Sequence, residues 1–332
     1  MPTSPSDTVT ACQVVLSQPG GPEALTLRSV ALPPPGPGEV LIRQTAIGVN
    51  FVDIYHRTGL YALPPLPVPL GVEGSGVVIA VGPGVTTLSE GQTVAYAGLP
   101  VGGYASHRLL PEWQAMPVPD GIADSAAAAM LRGITTHMLL TRVFPVGPDT
   151  TLLVHAAAGG LGLILTQWAR RLGATVIGTV GSEDKAALAR SFGTDHTILY
   201  RQQDFVQTVR DLTGGQGVDY AIDGIGGETL RRTLDAVRPF GMVASVGQAS
   251  GSLPDIPLTD IGPGRTLSLS RPSVFRYLSD PTTYRTAAAA LLAQIGQGLR
   301  PVIGLELPLD QAAEAHRALE AGRTCGSILL RP

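Results

Sequence analysis

The segment HAAAGGLG, residues 155–162, follows the apolar run TLLV (151–154) and precedes LILTQWARR (163–171). Small residues bunched between an apolar run and a helical pattern are needed where a ligand must touch the backbone itself. Set on the spacing G-x-G-x-x-G, the three glycine positions fall on Ala157, Gly159 and Gly162. Gly159 lets the chain approach a pyrophosphate, and Gly162 lets the following helix pack close to its strand. Ala157 suits the first position if its φ stays negative. The stretch Ala158, Gly159, Gly160 and Leu161 then opens a helix whose N-terminal N–H groups and partial positive charge face the phosphates. The chemistry implied is the binding of a dinucleotide, and with a nicotinamide it is hydride transfer.

The nucleotide is read about 20 residues further on, where NAD proteins carry an acid for the ribose 2′-hydroxyl. Here the sequence is IGTVGSEDK (177–185), and Gly178, Thr179 and Val180 supply no carboxylate. Gly181, Ser182 and Lys185 follow, and Lys185 is the only lysine among the 23 Lys and Arg residues. A hydroxyl and an ammonium there suit a 2′-phosphate, so the cofactor expected is NADPH. Tyr200, at the end of the next apolar run, is placed either to flank the adenine or to close its strand.

These residues need a scaffold. TLLVHA (151–156), TVIGTV (175–180), HTILY (196–200), VDYAID (218–223) and GMVASVG (241–247) read as strands. Helical segments 160–173, 182–192, 203–213 and 227–237 alternate with them, and RTLSLS (265–270) is one further strand. Crossovers this short give an α/β, doubly wound, parallel sheet of Rossmann type. Before it, EVLIRQTAIGV (39–49), SGVVIAVGPGV (75–85) and QTVAYA (92–97) are short strands bounded by Gly and Pro, as in a small β-barrel. ADSAAAAMLRGITTHMLLTRV (123–143) and 284–298 read as helices, and GSILL (326–330) as a strand rejoining the barrel. The expected organisation is residues 1–130 with 275–332 as the substrate domain, and 131–274 as the inserted NADP-binding domain.

Bulk properties narrow the function. The net charge of −3 without runs of like charge disfavours nucleic acid and anionic membranes. No apolar run reaches the roughly 18 residues of a membrane span. Cys12 and Cys325 cannot build a disulfide framework. The opening MPTSPSDTVT lacks the pattern of a secretory signal, so a cytoplasmic location is expected.

The segments GVNFVDIYHRTGLY (48–61), GVEGSGVV (71–78), 154–185, GVDYAIDGIG (217–226), ASVGQASG (244–251) and SRPSVF (270–275) resemble the medium-chain dehydrogenase/reductase family. Within it the chain is most similar to the zeta-crystallin-like NADPH:quinone oxidoreductases. The resemblance implies a GroES-like barrel domain, a homodimer, and hydride transfer to a small-molecule quinone; the alternative acceptor is an activated C=C bond, as in enones, haloacrylates or enoyl thioesters. Zinc-dependent relatives place a cysteine where this chain has Asn50 and a histidine where it has Val72. Tetrahedral zinc needs thiolate or imidazole ligands, so no metal is expected. By the same resemblance Asn50, Tyr55 and Tyr61 line the acceptor pocket. Phe51, Asp53, Thr135, Ile225, Val246, Gln248, Ser270, Arg271, Pro272 and Arg323 contact the cofactor, and RTLSLS pairs across the dimer two-fold; the alternatives are that Asn50 caps a turn, Asp53 is a structural loop acid and Arg323 a solvated surface residue.

Overall fold

The computed structural model describes residues 8–119 and 121–332. Residues 1–7 of the opening segment read above for a secretory signal lie outside them. The chain divides into two units, one running up to Ile134 and resuming over Phe275–Pro332, the other comprising Thr135–Val274.

The first unit opens with β1 (Val9–Leu16), β2 (Leu25–Leu32) and β3 (Glu39–Val49), followed by helix α1 (Phe51–Arg57). Then come β4 (Val68–Pro69), β5 (Glu73–Val81), β6 (Thr93–Ala97), β7 (His107–Pro111) and β8 (Met116–Pro117). The long strand β3 organises this unit by pairing antiparallel with β5 and β7. Its pairing with β5 slips between Leu41 and Ile42 and again between Gln44 and Ala46. Such bulges change which side chains face a given side of the sheet. Val40 and Ile42 therefore enter one core with Val78, Val94, Tyr96 and Leu110. Ile47 and Val49 enter another with Val14, Leu70, Tyr104 and Leu330.

The Ala-rich stretch expected as a single helix over 123–143 is interrupted. It forms α2 (Ala123–Ala127) and α3 (Met130–Met138), and ends in a wide turn in which Phe144 N–H donates to the Leu139 carbonyl. The break lies where the Ala128 carbonyl accepts from Ser327 Oγ and Arg132 Nη1, at 2.7 and 3.2 Å. Side chains take up an acceptor that would otherwise serve the helix ladder.

In the second unit β9 (Thr151–Val154), α4 (Gly160–Arg171), β10 (Thr175–Val180), α5 (Glu183–Ser191) and β11 (His196–Leu199) alternate as expected. α6 (Phe205–Leu212), β12 (Val218–Asp223), α7 (Gly227–Thr233), β13 (Val237–Ser245) and β14 (Ser268–Ser270) complete it. The six strands lie in the order β11-β10-β9-β12-β13-β14 with parallel pairing throughout. Strand order reverses at β9, so the loop after β9 opens at the switch point where α/β sheets bind ligands. β14 is shorter than RTLSLS because Arg265 and Thr266 are held in a turn on the Gly262 carbonyl. Leu153, Ile177, Ile198, Val218, Ala221 and Val243 fill the core with α6 and α7.

The first unit resumes with α8 (Val274–Tyr277), α9 (Pro281–Gly296), β15 (Ile303–Pro308), α10 (Ala312–Glu320) and β16 (Ser327–Arg331). α9 starts at Pro281 rather than Tyr284, because the Asp280 carboxylate caps the Thr283 N–H at 2.8 Å. β16 pairs antiparallel with β3, so the last strand does rejoin the barrel. Among the described residues no helix is long and apolar enough to cross a membrane.

Candidate active site

In a parallel sheet every strand ends at the same edge, and that edge gathers the expected cofactor residues of the second unit. Ala158, Gly159, Gly160 and Leu161 follow β9; Gly181, Ser182 and Lys185 follow β10; Tyr200 follows β11. Ile225 follows β12, Val246 and Gln248 follow β13, and Ser270, Arg271 and Pro272 end or follow β14. Thr135 stands apart from these strand ends, on α3.

The glycine loop between β9 and α4 leaves a helix N-terminus open and packs tightly behind it. Gly159 is the N-cap of α4, and the next three N–H groups have no helical turn above them to bond. A Cβ at Gly162 would fall on the Ala156 carbonyl oxygen and 2.8 Å from Ala157 Cα, so this position admits no side chain. Ala157 keeps the negative φ anticipated for it; the left-handed residue of the loop is Ala156, with φ 51°. After β10, Ser182 caps α5 as expected, its hydroxyl accepting from the Lys185 N–H at 3.4 Å. Tyr200 is half exposed, and its hydroxyl would lie 3.3 Å from a Cβ at Gly181. Arg201 was missed by the sequence reading. Its Nε would lie 3.7 Å from the same Cβ, and its guanidinium sits 5.9 Å from the Tyr200 ring centre. Its one sequence signal is its place directly after Tyr200, since strand ends are where cofactor contacts collect. Beyond β13, Arg271 donates to Ser245 Oγ at 3.1 Å and to Gln248 Oε1 at 2.9 Å, fastening the end of β14 to that of β13.

In the first unit α1 brings Asn50, Phe51, Tyr55 and Tyr61 together. Asn50 is the N-cap, and its N–H donates to the Asp53 carboxylate at 2.8 Å. The Phe51 and Tyr55 rings are 6.3 Å apart, and those of Tyr55 and Tyr61 5.2 Å. Asn50 Nδ2 donates to Glu73 Oε2 at 2.8 Å, and Glu73 also accepts from the Leu131 N–H and Arg132 Nη1, at 2.6 and 3.3 Å. Burial pushes the Glu73 carboxyl up, and the Arg132 guanidinium opposes that.

Asp53, expected along the cofactor or as a structural loop acid, has a fully buried side chain, as the second of these readings requires. It accepts from Asn50 N–H and from Tyr104 Oη at 3.0 Å. Behind Tyr104 stand His316 at 2.9 Å, then Arg57 at 3.2 Å from the other ring nitrogen, then Glu320. Desolvation pushes Asp53 up to about 7, against the hydrogen bonds that lower it. Its work is to cap α1 and anchor the helix. Arg323 lies in the same unit, largely exposed and 3.7 Å from Glu314.

His56, beside Tyr55, has a buried Nδ1 that meets no partner among the described residues. Its ring stacks on Phe275 at 6.2 Å. Burial pushes it down to about 4. The unfolded chain takes up a proton below about pH 6.5 that the folded chain refuses, so His56 makes stability fall as pH drops from 6.5 toward 4. His56→Phe keeps the ring and removes this linkage. Urea unfolding is expected to show the variant gaining about 2 kcal/mol more over wild type at pH 5 than at pH 7. Equal differences at both pH values would contradict it.

Among the described residues no group of three or more His, Cys, Asp or Glu side chains is placed to hold a metal ion. Val72 is buried and apolar, and Asn50 binds Glu73.

Comparison with known proteins adds the following. Residues 36–120 match the alcohol dehydrogenase GroES-like domain family, and residues 160–294 the zinc-binding dehydrogenase family. The chain is 41% identical to a 2-haloacrylate reductase of Burkholderia sp over 96% of this chain and 98% of that protein. It is 42% identical to a quinone oxidoreductase of Pseudomonas aeruginosa, over 94% of this chain and 97% of that one. The crystal structure of Escherichia coli quinone oxidoreductase complexed with NADPH superposes with a TM-score of 0.91 at 37% identity, covering 97% of this chain and 100% of the other.

Proposed function

Because the chain belongs to the medium-chain dehydrogenase/reductase family, among its quinone oxidoreductases, we propose that it is an NADPH-dependent oxidoreductase that reduces a quinone without zinc. The observation that carries this reading is the strand-end edge of the parallel sheet. It combines a phosphate loop after β9, no carboxylate at the end of β10, and Ser182, Lys185 and Arg201 beyond it. The quinone oxidoreductases of Pseudomonas aeruginosa and Escherichia coli, the latter solved with NADPH, support it.

Bound NADPH supplies the hydride. The N–H groups at the start of α4 hold the pyrophosphate, and Ser182, Lys185 and Arg201 hold the 2′-phosphate. Asn50, Tyr55 and Tyr61 receive the acceptor. Glu73 fixes the Asn50 amide through Nδ2, and the two tyrosine rings, 5.2 Å apart, supply apolar faces for the acceptor. A quinone is already electrophilic, so it accepts hydride without a Lewis acid. This matches positions where zinc ligands of relatives are replaced by Asn50 and Val72.

Lys185→Ala is expected to weaken NADPH about tenfold to a hundredfold, the value of one charge-assisted bond, and to leave NADH nearly unchanged. Fluorescence titration with both cofactors reads this; equal losses would sink the 2′-phosphate assignment. A homodimer is also proposed. The outer edge of β14 pairs with nothing among the described residues. Phe240 and Leu258 are 78% and 80% exposed, and Phe240 N–H bonds Thr266 just before β14. Light scattering after size exclusion is expected to give twice the chain mass, and the mass of a single chain would rule the dimer out.

The 41% identical 2-haloacrylate reductase supports the second reading, reduction of an activated C=C bond. NADPH oxidation at matched concentrations of a para-quinone, a haloacrylate and a simple enone separates the two. Turnover highest with the quinone is expected; turnover highest with haloacrylate or enone would overturn the first reading in favour of the second.

A further inference from the structure

His155, the residue that opens HAAAGGLG, is buried and bonded at both ring nitrogens. Nδ1 lies 2.9 Å from Thr179 Oγ1 on β10, and Nε2 lies 2.9 Å from Thr233 Oγ1 on α7. The ring also meets Phe205 edge-on, with centroids 5.0 Å apart. Burial pushes its pKa down, so at neutral pH the ring is neutral and carries one proton.

One arrangement satisfies every group. With the proton on Nε2, His155 donates to Thr233 Oγ1 and accepts from the Thr179 hydroxyl. The Thr233 hydroxyl proton is then free for Asp223 Oδ2 at 3.0 Å or the Thr229 carbonyl at 2.7 Å. Asp223 Oδ1 accepts from the N–H groups of Ile225 and Gly226, at 2.7 and 2.8 Å. A single imidazole thereby joins the end of β10, α7 and the turn after β12.

The next residue, Ala156, has φ 51°, a left-handed conformation disfavoured for any residue with a Cβ. Its methyl group is exposed, so packing does not hold it there. Its two neighbours do, and both use Thr179: the His155 ring through the Thr179 hydroxyl, and the Ala157 N–H through the Thr179 carbonyl at 3.0 Å. The kink at Ala156 also aims its carbonyl at the Gly159 N–H, 2.8 Å away, which closes the loop beneath α4.

We propose that His155 is a positioning residue for the cofactor: its two-ended clamp holds Ala156 in the left-handed conformation and so presets the phosphate loop before NADPH arrives. The proposal rests on the reading that this loop holds the pyrophosphate. It separates the clamp from ordinary core packing, because the strain to be overcome sits on one residue and glycine abolishes it.

The test compares NADPH dissociation constants and thermal midpoints for wild type, His155→Phe, Ala156→Gly and the double variant. His155→Phe keeps an aromatic ring and loses both hydrogen bonds. It is expected to weaken NADPH about tenfold, the effect of one lost hydrogen bond's worth of preorganisation. Ala156→Gly alone is expected to stay within about threefold of wild type. In the double variant, glycine adopts the kink unaided, so NADPH affinity should return to within about threefold of wild type while the lowered thermal midpoint persists. A His155→Phe variant with reduced thermal stability and unchanged NADPH affinity would overturn the proposal, and so would an affinity loss that glycine at 156 does not restore. Should the phenylalanine variant fail to fold, His155→Leu, which also loses both hydrogen bonds, carries the same comparison. A wild-type chain that binds no NADPH would overturn the cofactor reading itself and the clamp with it.

Discussion

Glu73→Ala is expected to destabilise the protein by about 3–5 kcal/mol, as truncating one partner of a buried ion pair does. Glu73 is fully buried, and Arg132 nearly so. The carboxylate serves three donors: Leu131 N–H, Asn50 Nδ2 and Arg132 Nη1. Alanine leaves all three in the interior, and the worst of them is a guanidinium that cannot shed its proton. Arg132 keeps only carbonyl partners at Val49 and Ala128, which do not neutralise it. The double variant Glu73→Leu/Arg132→Leu removes the charge with its partner, and should recover at least half of the loss. Urea unfolding of the single and double variants at pH 7 measures both effects. A single-variant loss below about 1 kcal/mol would mean the pair behaves as a solvated surface bridge. The same substitution frees the Asn50 amide, so turnover should fall in whatever fraction of the variant remains folded.

Gly162→Ala is expected to cost about a hundredfold in NADPH affinity, roughly 2.7 kcal/mol, together with about 1–3 kcal/mol of stability. The added methyl meets backbone, the Ala156 carbonyl oxygen and Ala157 Cα and carbonyl carbon, and none of these can swing aside as a side chain would. Either α4 lifts from the sheet or the kink at Ala156 opens, and both spread the N–H groups that hold the phosphates. Gly147→Ala is the control, since a Cβ there would find nothing within 4 Å. Calorimetric titration with NADPH reads the difference between the two variants. A Gly162→Ala protein that binds as wild type does would remove the phosphate loop from the site.

The two substitutions probe features of different origin. The glycine spacing of 155–162, the strand–helix alternation after it, Ser182 at the start of α5 and the missing carboxylate after β10 are all local in the chain. Periodicity, caps and turn residues act within a few positions, so the sequence alone determined the parallel sheet and which residues stand at its strand ends. Tertiary structure decided what depends on distant partners. Of the two readings open for Asp53, tertiary structure favoured the structural one, because Tyr104, 51 residues away, meets its carboxylate in the core. The Ala-rich helix broke because Ser327, 199 residues on, claims the Ala128 carbonyl. Arg201 came near Gly181 only when parallel pairing set β11 beside β10. His155 became a clamp only when β10 and α7 brought Thr179 and Thr233 to its two nitrogens. Burial and pairing belong to the three-dimensional neighbourhood, and a buried polar side chain takes its role from whichever groups the fold sets against it.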